Sequence, residues 1–150
     1  MIARRSLFAL PLLAVAACQG EVERDGAKYL LEGRRTTVQP LAAAFPALGE
    51  PVRAVWFHGG LGEPSRAPGP TDYWTDAVVT VTPETMAELR ALGDQQPGAA
   101  PVVWRDLRSD LPSSLVTSPE LTAAFAGSSP RAQAWLSADT DQVVVTDSDA

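Results

Sequence analysis

The chain has 150 residues, 45% of them hydrophobic, with a formal charge of −6. That apolar share is too high for a disordered chain, and an acidic balance lacks the basic footprint that nucleic-acid binding needs. A single cysteine excludes a disulfide framework, and no internal repeat is visible.

The first 17 residues form a secretory signal. Met1 to Arg5 is a short cationic stretch, Ser6 to Val15 is an apolar run, and Ala16-Ala17 supply small residues. The run is about 10–12 residues, too short to span a ~30 Å hydrocarbon core as a helix. The segment Val15-Ala16-Ala17-Cys18 resembles the lipobox of bacterial lipoproteins, position by position. The resemblance implies that the signal is cleaved and that Cys18, lipidated on sulfur, becomes the new N-terminus. Gln19 follows where an Asp would favour inner-membrane retention. The implied address is therefore the periplasmic face of the outer membrane, if the host is Gram-negative. Arg4-Arg5 also looks somewhat like a twin-arginine export signal, although Ala3 departs from that pattern. Loss of Arg4 and Arg5 leaves 10 basic against 18 acidic residues, a charge of −8. An acidic domain gains nothing from an anionic membrane, so lipid on Cys18 must hold it there.

Residues 18–28 are polar and without periodicity, and read as the lipidated N-terminus and tether. Residues 29–146 read as one globular domain and 147–150 as a frayed tail. Lys28–Glu32 is a candidate first strand. Leu41, Ala44, Phe45 and Leu48 fall at helical spacing, with Pro46 shortening the helix. Val52–Phe57 is apolar on both faces, as an interior strand is. Gly59 to Tyr73 is rich in Gly and Pro and reads as a long loop. Asp76–Val81 is the second strong strand. Thr82-Pro83-Glu84 gives an N-cap, a first-turn proline and a first-turn acid, ahead of Met86, Leu89 and Leu92 and a stop at Gly93. Pro101–Trp104 is a candidate short strand. Ser118-Pro119-Glu120 repeats the helix-start signal before Leu121, Ala124 and Phe125, with a stop at Gly127. Gln133–Ala138 and Gln142–Thr146 flank a turn at Asp139-Thr140-Asp141 and predict a hairpin. Short strands and short helices in similar number predict an α+β domain, with an antiparallel or mixed sheet and two or three short helices.

Four constellations bear on chemistry. Val55-Trp56-Phe57-His58-Gly59-Gly60 looks like the strand and HGG turn of α/β-hydrolase esterases, whose backbone N–H groups help form an oxyanion hole. The rest of that family's pattern is missing: there is no Gly-x-Ser-x-Gly elbow, and His58 is the only histidine. The segment then reads as a strand ending in a glycine turn, with His58 at its rim. His58 as a zinc ligand would lack its usual His and Cys companions. Asp139, Asp141, Asp147 and Asp149 lack the spacing of a calcium loop. Glu63, Asp72 and Asp76 flank the long loop and supply the two carboxylates that glycoside cleavage requires, a pattern that any acidic protein offers.

Pro68, Gly69, Pro70, Asp72, Tyr73 and Trp74 form the most distinctive segment. They read either as a recognition surface for an envelope partner or as aromatics anchoring the loop onto the core. No residue set calls for a cofactor. The expectation is a lipid-anchored envelope protein serving as a non-enzymatic binding or assembly module. The alternative is a small carboxylate-dependent hydrolase of cell-wall glycans.

Overall fold

The computed structural model describes residues 22–64 and 72–149. The segment read above as a signal, together with Cys18, Pro68, Gly69 and Pro70, lies outside the described residues. Strands β1 (Arg24–Asp25), β2 (Lys28–Arg35), β3 (Arg53–Leu61), β4 (Tyr73–Thr80), β5 (Gln96–Pro97), β6 (Leu115–Thr117), β7 (Gln133–Ser137) and β8 (Gln142–Asp149) make one sheet. Their order is β1-β2-β3-β4-β8-β7-β6-β5, and every pairing is antiparallel. Three short helices accompany it: α1 (Gln39–Ala44), α2 (Pro83–Arg90) and α3 (Pro119–Ala126). Pro46–Leu48 and Arg105–Asp110 form 3₁₀ turns. The result is a small single domain with an antiparallel sheet. Strand outweighs helix, so the α+β label fits it only in part.

Both faces of the sheet are covered. On one, Ala54, Trp56, Ala77, Val79, Val143 and Val145 meet Leu41, Phe45, Leu48, Met86, Leu89, Leu121 and Phe125 from the helical elements. On the other, Phe57, Trp74, Val78 and Val144 are covered by Val103, Trp104 and Leu107. The helix starts are local devices. Thr82 and Ser118 each accept the N–H three residues on, from Thr85 and Leu121, which satisfies donors that a helix N-terminus leaves open. Ser118 Oγ also donates to Leu92 O at 2.5 Å, tying α3 to the end of α2. Pro46 does stop α1, and the chain continues as a 3₁₀ turn that still buries Leu48.

Four segments differ from the sequence reading. Residues 22–28, assigned above to the tether, carry β1 and the start of β2, joined through Gly26 at φ 62°. Asp147 to Asp149, assigned to a frayed tail, extend β8, because Thr75, Trp74 and Tyr73 of β4 lie opposite them. Pro101–Trp104 is not a strand: the Trp104 N–H donates to the Asp76 carboxylate at 2.6 Å instead of to a neighbouring strand. Gly59 and Gly60 lie inside β3 rather than in a turn after it. A β-carbon on Gly59 would strike the Tyr29 carbonyl oxygen and the Trp74 indole, and one on Gly60 would strike the Tyr29 ring. Glycine is needed there so that aromatic side chains can lie flat on the strand.

Candidate functional site

Strand alternation puts His58 and Trp56 on the same face of β3, with Thr75 and Ala77 on β4 and Asp147 and Val145 on β8. His58 lies opposite Glu32 on one side and Thr75 on the other, and Thr75 lies opposite Asp147. Four polar residues thus form a row across four strands. Helix α1, six residues long, flanks this row. Between the helix and the sheet lies a groove of about 230 Å³ lined by Arg35, Pro40, Leu41, Ala44, Phe45, Trp56, His58, Thr75 and Asp147.

Its walls have distinct roles. The Trp56 ring is fixed by its N–H to Thr37 O at 2.9 Å. The Arg35 guanidinium sits over that ring, 4.3 Å from its centroid, and pairs with Glu32 at 2.7 Å. His58 Nδ1 and Thr75 Oγ1 share a hydrogen bond of 3.1 Å. The exposed Tyr73 ring stacks on His58, 5.5 Å between centroids and 18° between planes. Asp147 Oδ1 accepts from Ser129 Oγ at 2.6 Å. The groove therefore offers an apolar floor with a hydroxyl, an imidazole, a carboxylate and a guanidinium at its rim, the general make-up of a small-ligand site. Among the described residues it does not assemble a triad: Asp147 is bonded to Ser129, and no carboxylate there bonds the His58 ring.

A second hollow, about 310 Å³, opens by Arg34, Arg53, Val55, Val78, Thr80 and Gln142. Of its two arginines, Arg34 is held by both oxygens of Asp110, at 2.9 and 3.0 Å.

The residues picked out from the sequence are dispersed. Asp72 is exposed, Tyr73 stands on the same face as His58 and stacks on it, and Trp74, one residue on, points through the opposite face and is 1% exposed. Trp74 therefore belongs to the core and presents nothing to a partner. It stacks on Trp104 at 5.2 Å and donates to Tyr29 O at 3.2 Å. Glu63 pairs with Arg24 at 2.9 Å. Asp76 is fully buried, so it cannot stand beside Glu63 and Asp72 on a glycan. Asp139 and Asp141 sit in the β7–β8 turn and Asp147 is six residues along β8, about 20 Å away at strand rise. Among the described residues no three His, Cys, Asp or Glu side chains gather as a metal site. The N–H groups after His58 lie within a central strand paired on both sides, not in an oxyanion turn.

The sequence reading missed the buried ion pair beneath the strap of residues 101–111. Lys28 Nζ donates to Asp76 Oδ2 at 2.6 Å, the same oxygen that receives the Trp104 N–H. Lys28 also lies 4.8 Å from the Trp74 ring centroid. Burial pushes the Asp76 carboxyl above its ordinary value; Lys28 and the Trp104 N–H pull it back. Its Oδ1 has no hydrogen-bond partner among the described residues. The one available signal was an aspartate in core phase with Trp74 and Val78 on a valine-rich strand. No known protein family matches this chain, and no curated protein or solved structure matches it either.

Proposed function

We propose that the protein is a lipid-anchored component of the bacterial envelope, held at the periplasmic face of the outer membrane by Cys18, and that it acts as a binding module through the groove at His58. The lipobox residues Val15 to Cys18 support the address. The observation that carries the binding role is the convergence of Arg35, His58, Thr75 and Asp147, from four strands, around an apolar floor.

Two experiments test the two halves. Cys18→Ala should abolish labelling by a fatty-acid probe in growing cells; a labelled band that persists refutes the anchor. For the groove, a photo-crosslinking residue at Tyr73 should yield an adduct in intact cells that His58→Ala with Asp147→Asn removes. The same residue at Val52, exposed but remote, should yield none. Identical adducts from both positions would refute the groove as the site.

A further inference from the structure

We infer that the β1 edge of the domain, flanked on one side of the sheet by Val22 and Leu31 and on the other by the strap of residues 101–108, rests on the membrane surface to which Cys18 is tied. The inference builds on the lipidation of Cys18 and adds an orientation to it.

Chain length restricts the choice of face. Three residues separate Cys18 from Val22, and the four extended steps between the two span about 14 Å. The β1 edge must therefore lie close to the headgroups, whichever way the domain turns. The exposed apolar side chains are distributed accordingly. Val22 is 44% exposed and Leu31 51% exposed. They lie opposite each other, because the Leu30 N–H donates to Glu23 O and Tyr29 lies opposite Arg24. Alternation turns both to the side of the sheet away from the strap, since Leu30 packs beneath the strap and Glu23 and Asp25 meet its arginines. Val102 is 85% exposed on the strap. Pro101, Val103 and Trp104 around it are buried, which holds Val102 outward instead of leaving it free to fold in. Three residues on, Arg105 bonds Arg24 O at 3.0 Å and meets Glu23 at 3.4 Å, which ties the strap to the β1 edge.

Charge agrees with this placement. Arg24, Arg105 and Arg108 face Glu63, Glu23 and Asp25, with Asp106 a further 3.9 Å neighbour of Arg105. The corner is close to neutral, so the excess negative charge of the mature chain lies elsewhere. An acidic surface is repelled by anionic headgroups, and a near-neutral one carrying exposed valine and leucine is not. The remaining exposed large apolar side chains among the described residues are Tyr73, on the groove face, and Val52. Val52 precedes β3 and lies six residues from His58, about 20 Å along the strand, which makes it a control of similar chemistry on a remote surface.

The test uses the full lipidated chain. Once Cys18 carries lipid, Leu31→Cys, Val102→Cys and Val52→Cys each supply a unique thiol for a fluorophore. Each labelled protein is reconstituted in vesicles of phosphatidylethanolamine and phosphatidylglycerol containing a nitroxide-headgroup lipid, and acyl mass is confirmed on the same samples. Quenching at positions 31 and 102 should exceed that at 52 several-fold and should persist in high salt. Acylated protein with equal quenching at all three positions, or strongest at 52, overturns the orientation and leaves the anchor standing. Protein without acyl mass removes the anchor and this inference together.

Discussion

Lys28→Met isolates the buried ion pair. Lys28 is 20% exposed and Asp76 1%, with 2.6 Å between the charged atoms. Methionine keeps most of the apolar stem against Trp74 and removes the charge. Deleting one partner of a buried pair costs about 3–5 kcal/mol because the other charge is left uncompensated. The partial exposure of Lys28 places this case at about 3 kcal/mol. The cost must depend on pH, with a definite sign. Burial already raises the Asp76 carboxyl above its ordinary 3.8. A carboxyl raised in the folded state favours folding below its unfolded value, and that contribution is lost as pH rises through the folded value. Removing Lys28 takes away the largest opposing influence and raises the folded value further. The loss relative to wild type should be smallest in acid, where both proteins carry a neutral Asp76, and should grow toward neutral pH. Urea unfolding followed by tryptophan fluorescence, at several pH values, measures it directly. A loss below about 1 kcal/mol at neutral pH, or one that does not shrink in acid, would refute the pairing as a buried one.

Trp74→Ala should destabilise the fold by about 3–5 kcal/mol, as for other buried tryptophans. Tyr73→Ala should cost no more than the ~0.5–1.5 kcal/mol of an aromatic stack; equal effects in thermal unfolding would contradict the opposite facing of these neighbours. Gly59→Ala drives a methyl group against a backbone carbonyl and the Trp74 indole. It should cost at least the ~1–3 kcal/mol typical of overpacking, since the carbonyl cannot rotate away. Gly33→Ala, with open space around the added carbon, should be nearly neutral in the same denaturation assay. Ser118→Ala removes both the α3 cap and the bond to Leu92 O, and should cost about 1–2 kcal/mol by urea titration.

The features legible in the sequence were those encoded within a few residues of each other. Thr82-Pro83 and Ser118-Pro119 start helices because a side-chain oxygen and a fixed φ act locally, and both starts are where the sequence places them. The β7–β8 hairpin follows from alternation around an Asp-rich turn. In the structure that turn is held by Ser137 Oγ, which accepts the Asp139 and Thr140 N–H groups, and by Arg90. Composition alone misassigned Gly59 and Gly60, since glycine marks a turn and also marks a strand on which an aromatic lies. Only the position of Tyr29, thirty residues earlier, separates the two cases.

The groove itself was beyond local reading. His58, Thr75 and Asp147 lie far apart in the chain and meet because β3, β4 and β8 are neighbours in register. Lys28 and Asp76 meet across the intervening β3, 48 residues apart. The sequence by itself determined the local start signals, the central apolar strands and the acidic balance. Tertiary structure alone decided which of two adjacent aromatics is core and which is exposed against His58. Register sends neighbouring side chains through opposite faces, and strand order determines what waits on each.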